Sequence, residues 1–161
     1  MSDFDVKEKR FEQDIEDYLI HFGGYIKGDP SFFNRASGLD EGTFTEFVKT
    51  SQPKQWERFV RIYNAAAKKQ LIDRFSREVK QTSLLNVLRH GFTDRGIKFR
   101  AVFWKPETSF NETSRIQYEA NIFHCTRQLH YSLKNENSID IVLFLNGIPV
   151  VFAKRWRSRQ D

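Results

Sequence analysis

Apolar residues recur at spacings of three and four through the first half of the chain, and the pattern predicts helices there. Phe11, Ile15, Tyr18, Leu19 and Phe22 form one stripe on a helix from about Lys7 to Phe22, which Gly23-Gly24 is suited to end. Asp29-Pro30 and Gly38 punctuate an irregular stretch, and Phe44, Phe47 and Val48 mark a short helix after Gly42. Ser51-Gln52-Pro53 reads as a helix start, with Ser51 as cap and Pro53 in the first turn, where a missing N–H matters least. Trp56, Phe59, Val60 and Tyr63 would be the buried face of that helix. Leu71, Ile72, Phe75 and Val79 would be that of the next, over about Ala65 to Gln81, and a last short helix, Leu84 to Leu88, is closed by Gly91.

The period then changes. Residues 98–104 predict a strand stopped by Pro106, followed by a polar loop at Ser109 to Glu112. Residues 121–131 alternate, with apolar Phe123, Cys125, Leu129 and Tyr131 at odd positions, as a half-buried strand requires. After a polar connection over Lys134 to Ser138, two apolar runs, 139–145 and 148–153, flank Asn146-Gly147, a strong hairpin signal. Both runs are nearly continuous in Ile, Leu, Val and Phe, so they are expected to be central and covered on both faces. Helices first and strands afterwards predict a mixed α/β (α+β) fold with the first helix packed on the sheet.

Composition narrows the function classes. At 161 residues with 16 phenylalanines, the chain is read as one folded domain, residues 1–153, with a basic tail over 154–161. A single cysteine, Cys125, excludes an internal disulfide, suits a reducing cytosol, and reads as a small buried hydrophobe. Neither a signal peptide nor a membrane span is visible. Net charge is +5, of which the last eight residues carry +3, so the other 153 carry only +2, and bulk charge argues little about phosphate binding. The tail breaks off abruptly from the strand before it and reads as a truncated or foreign end. No Gly-x-x-x-x-Gly-Lys-Ser/Thr loop occurs, which argues against ATP use by this chain. His21, His90, His124 and His130 lack the spacing of a metal cluster.

Asp140 is the chemically informative residue. A carboxylate leading a buried run must be exposed at the strand end, paired, or bound to metal. Strand parity decides what can join it. A plain two-residue turn at Asn146-Gly147 would set Asp140 against Ala153 and point position 154 away. A three-residue loop with a glycine bulge would shift the pairing by one and bring 140, 154 and 156 to one face. Two carboxylates there, with a nearby lysine, could hold a divalent cation and activate water for phosphodiester hydrolysis.

Several stretches resemble one family. They are Phe11-Glu12-Gln13-Asp14-Ile15-Glu16, Thr50 to Trp56, Asn121, Arg127-Gln128 before Tyr131-Ser132, and above all Ile139-Asp140-Ile141-Val142-Leu143-Phe144-Leu145-Asn146-Gly147-Ile148-Pro149. The chain from about residue 8 to 153 is similar to the N-terminal domain of the restriction (R, or HsdR) subunit of type I restriction-modification enzymes. The resemblance implies a PD-(D/E)xK nuclease core, with helices on a mixed sheet, extra N-terminal helices, and the sheet formed by the C-terminal half. It also implies Mg²⁺-dependent cleavage of double-stranded DNA, association with modification and specificity subunits, ATP-driven motor domains farther along the full-length subunit, and the cytoplasm of a bacterium or archaeon.

Carried over residue by residue, Asp140 matches the family's metal-binding and catalytic aspartate. Glu12 is a candidate for the helix-1 acid that often completes such metal sites, with Glu16 one turn along as a competitor. Arg127 and Lys134 are candidate DNA contacts, with ordinary surface charge as the alternative. The family then places Glu-x-Lys after the strand, where this chain has Lys154-Arg155-Trp156. Lys154 replaces the second acid and Trp156 the lysine, and a positive charge beside a divalent cation repels it. The expectation is therefore a nuclease domain with half its site missing, inactive alone and with little or no Mg²⁺ binding. The alternative is a non-catalytic module for positioning DNA or assembling subunits.

Overall fold

The computed structural model describes residues 3–108 and 110–154. The tail from 155 onward, Trp156 included, lies outside the described residues. The chain divides into two compact units: Met1–Asp40 with Ile122–Asp161, and Glu41–Asn121 between them.

The first, the sheet unit, opens with α1, Asp3–Phe22. It ends where Gly23-Gly24 predicts, with Gly24 at positive φ and the Leu19 carbonyl accepting from the N–H groups of Gly23 and Tyr25. A two-residue strand β1, Ile26–Lys27, follows, then a 3-10 turn at Pro30–Phe32 and a small hairpin, β2 Phe33–Asn34 with β3 Leu39–Asp40. These short elements fall in the stretch expected to be irregular. When the chain returns it supplies the remaining strands of a four-stranded sheet.

Numbered in chain order, those strands are β6 Phe123–His130, β7 Ser138–Leu145 and β8 Ile148–Ala153, and the order across the sheet is β1-β6-β7-β8. β1 runs parallel to β6 and the other pairings are antiparallel, so the sheet is mixed, as expected. The expectation that both strands of the last hairpin are central needs correction. β7 is flanked on both sides, whereas β8 is at the edge among the described residues, and its Val151 and Phe152 are exposed. Leu129, Val142 and Phe144 form this unit's apolar cluster, with Phe33 and Ile139 against it.

The hairpin combines parts of both predicted arrangements. Asn146 and Gly147, both at positive φ, make a two-residue turn with Leu145 opposite Ile148. The ladder then shifts: Phe144 pairs with Pro149 but Leu143 with Val151, leaving Val150 as the extra residue of a bulge. Proline has no N–H to give the ladder, which is why the irregularity falls there. Asn146 is fully buried and pins the turn, since its N–H donates to the Ile122 carbonyl and its Oδ1 accepts from the Ile122 N–H, both at 2.7 Å.

The second, helical unit is packed by phenylalanine. Its helices are α2 Glu41–Ser51, α3 Pro53–Tyr63, α4 Ala67–Gln81, α5 Leu84–His90 and α6 Glu112–Glu119, with a hairpin of β4 Phe92–Asp94 and β5 Ile97–Phe99 after α5. Phe44 packs on Phe75 at 4.8 Å, and Phe59 meets Phe99 edge-on at 5.2 Å. Of the face expected on α3, Phe59 is buried while Trp56, Val60 and Tyr63 are half-buried. Ser51 is not the cap of α3; it ends α2, with its hydroxyl on the Phe47 carbonyl at 2.6 Å.

The strand expected over 98–104 is also shorter. β5 stops at Phe99 because side-chain amides take over the backbone beyond it. Gln52 donates to the Arg100 carbonyl at 2.9 Å and accepts from its N–H at 2.7 Å. Asn121 does the same for Phe103, at 2.6 and 3.2 Å. Gln52 and Asn121, two residues in the stretches that carry the family resemblance, thus serve as backbone brackets.

Candidate functional site

The face that α1 turns to the sheet is not its apolar stripe. Phe11 and Phe22 are 64% and 78% exposed and Tyr18 is exposed too, while Glu12 and Glu16 are 6% and 2% exposed. Ile15 and Leu19 are half-buried beside the two acids. The helix is rotated from the orientation its hydrophobic spacing predicts, because β6 offers the acids what apolar packing cannot: cationic and hydrogen-bonding partners.

Those partners are consecutive residues. Arg127 places Nε 3.6 Å from Glu12 Oε2 and Nη1 3.5 Å from Glu16 Oε2, and Nη1 also donates to Gln13 Oε1. Gln128 donates from Nε2 to Glu12 Oε2 at 2.9 Å and accepts from the Ser138 hydroxyl at 3.3 Å. In a regular strand neighbours point to opposite faces. Gln128 has φ +52°, a left-handed conformation unusual for a residue with a side chain, and this break lets 127 and 128 both reach α1. Leu129 then joins the cluster of Val142 and Phe144. From β1, the exposed Lys27 brings Nζ to 3.7 Å from Glu16 Oε2.

Asp140 is half-buried on β7. The flanking pairs Arg127↔Ile141 and Leu129↔Ile139 set it level with Gln128, the residue that bonds Glu12. On its other side the bulge controls the register. With Ile141 opposite Ala153, one further step brings Lys154 level with Asp140. β8 ends at Ala153, so position 154 is reached by continuing that register one residue, and the shift comes from a bulge inside β8 rather than from the longer loop of the second predicted arrangement.

The four histidines do not converge. His21 Nδ1 lies 2.7 Å from the Asp17 carbonyl, and His130 lies 3.0 Å from the Glu136 carbonyl. His124 is half-buried, and desolvation lowers its pKa against the opposing pull of Asp40. Cys125 is buried beside Glu16; burial first, and then the Glu16 charge, push its thiol up to about 11. Lys134 is exposed in the β6–β7 connection, whereas the Arg127 guanidinium is held by the helix acids.

A family model for the type I restriction enzyme R protein N terminus matches residues 7–153, and the chain belongs to that family. No curated protein and no solved structure matches it. The family implies a Mg²⁺ ion held by carboxylates, and the residues described here do not compose a site for one. Among them no three His, Cys, Asp or Glu side chains gather as metal ligands. Lys154 follows Ala153, the partner of Ile141, and Glu12 and Glu16 already face Arg127. None of the described helices is long and apolar enough to cross a membrane.

The sheet unit's polar cluster went partly unforeseen. Glu12, Glu16 and Arg127 were visible as candidates, but their pairing was not. Gln128 was legible only as part of a family stretch, and the anchoring of Asn146 to Ile122 left no local signal beyond the turn itself.

Proposed function

We propose that this domain occupies the nuclease position of a type I restriction R subunit, holds duplex DNA, and does not hydrolyse phosphodiesters by itself. The observation that supports the reading is the β7–β8 register, whose last pair is Ile141 with Ala153, so that the next residue on each strand is Asp140 and Lys154, a lysine where phosphodiester chemistry would need a second metal-binding acid. The lysine's charge opposes a divalent cation at Asp140, so the nucleophilic water that such a cation would activate is not generated.

The holding role is supported by where the charge lies. The helical unit has fifteen Lys and Arg against nine Asp and Glu, +6, while the sheet unit has eleven against twelve, −1. In the helical unit the described ion pairs engage only Lys69, Arg74 and Arg115. On α3, Lys54, Arg58 and Arg61 fall at i, i+4 and i+7, exposed along one side with no acidic partner among the described residues. Such a row suits duplex phosphates.

Purified protein incubated with supercoiled plasmid and Mg²⁺ or Mn²⁺ is expected to leave it intact. Nicking that disappears in Asp140→Ala would overturn the reading. Lys154→Glu with Trp156→Lys is expected to gain divalent-cation binding in calorimetry. Duplex affinity is expected to fall in Lys54→Glu/Arg58→Glu/Arg61→Glu, with the log–log salt slope reduced by roughly 3. An unchanged slope would remove the helical unit from DNA binding.

A further inference from the structure

We propose that Arg127 is a built-in counter-ion that does for Glu12 and Glu16 what a metal does in an acidic nuclease site, so that this pair takes no divalent cation. Two carboxylates one helical turn apart and almost wholly buried cannot both stay charged without compensation. One guanidinium supplies it by bridging, with Nε toward Glu12 and Nη1 toward Glu16, each at the Oε2 atom. The neighbouring amides match these polarities: Gln128 donates to the acid and Gln13 accepts from the arginine. Lys27 adds a second positive charge at the exposed rim. A divalent cation entering between the acids would compete for the same oxygens and meet two positive charges already there.

The coupling is charge compensation more than directional bonding. The ion-pair separations of 3.5 to 3.7 Å exceed hydrogen-bond reach, and Glu16 Oε2 and Arg127 Nε are buried without a hydrogen-bond partner. A cluster held that way tolerates losing all its charges together far better than losing one. The left-handed Gln128 shows that β6 bends out of strand geometry to keep this arrangement.

The test compares thermal midpoints of the full chain in EDTA and in millimolar MgCl₂. Wild type is expected to melt at the same temperature in both. Arg127→Met, which keeps an apolar stem and removes the charge, is expected to melt about 10 °C lower or not to fold. Arg127→Met with Glu12→Gln and Glu16→Gln is expected to recover most of the loss, which a purely packing role for Arg127 would not allow. A midpoint raised by MgCl₂ in wild type and equally in Asp140→Ala, an Arg127→Met midpoint equal to wild type, or a triple variant no more stable than Arg127→Met would each overturn the proposal. Because it concerns the helix acids and not Lys154, its failure would show in the melting data while leaving the plasmid result untouched.

Discussion

The two units solve the burial problem in opposite ways. The helical unit fills its interior with Phe44, Phe47, Phe59, Phe75, Phe92 and Phe99 and buries the neutral Thr45, Ser51 and Gln52 but, among its described residues, no charged one. The sheet unit has a small apolar cluster and, beside it, buries two glutamates and an asparagine. An apolar interior is forgiving of which partner touches which, whereas a polar interior fails when any one partner is missing. The contrast sets an interior of aromatic rings in the helical unit against buried charged partners in the sheet unit.

Substitutions in each unit can break that contrast. The largest effect is expected for Phe44→Ala, where a fully buried ring in contact with Phe75 and Phe92 is lost, at about 4 kcal/mol by urea denaturation. A loss under about 1 kcal/mol would mean the aromatic cluster is not the source of that unit's stability. Next is Asn146→Ala, expected to cost about 2 kcal/mol, because it removes the acceptor of the half-buried Ile122 N–H and puts alanine in a left-handed turn position. If it proves neutral, the polar interior is replaceable and the contrast disappears.

Cys125 sharpens the comparison through pH. With the thiol raised from 9.0 to about 11, it stays protonated at pH 8, and iodoacetamide is expected to label it far more slowly in native than in urea-unfolded protein. Since the folded value lies above the unfolded one, its contribution to stability is complete below pH 9 and is lost as pH rises toward 11. Labelling at equal rates in both states would mean that β6 opens readily. The smallest effect belongs to the helical unit's surface: Arg115→Ala removes an exposed pair with Glu119 on a helix with no buried residues and is expected to change stability by less than about 0.5 kcal/mol.

What could be read from sequence depended on how local the causes are. The helix carrying Leu71, Ile72 and Phe75, its successor closed by Gly91, and the Asn146-Gly147 turn were legible because spacing, a positive-φ glycine and a two-residue turn leave signatures within a few positions. The rotation of α1 was not, because the partners of Glu12 and Gln13 lie 116 and 114 residues away. α6 has no buried residues and hence no stripe; Asn111, whose Oδ1 accepts from the Ser114 N–H, was its one signal. β1 is too short to show a period, and residues 100–103 look like a strand although amide side chains hold them. Asp140 stood out unaided as a charge in an apolar run, while Glu12 was singled out only through the family resemblance.

Val150 has a consequence larger than its chemistry. As the unmatched residue in β8, it acts as a phase shifter for everything downstream: every residue before it reads the neighbouring strand in one frame and every residue after it in the next. Deleting that single codon would close the bulge and leave Ala153 opposite Ile141, whereas absorbing Val150 into the ladder would slide the rest of β8 by one place and set Phe152 there, so the frame downstream depends on whether this one residue is paired.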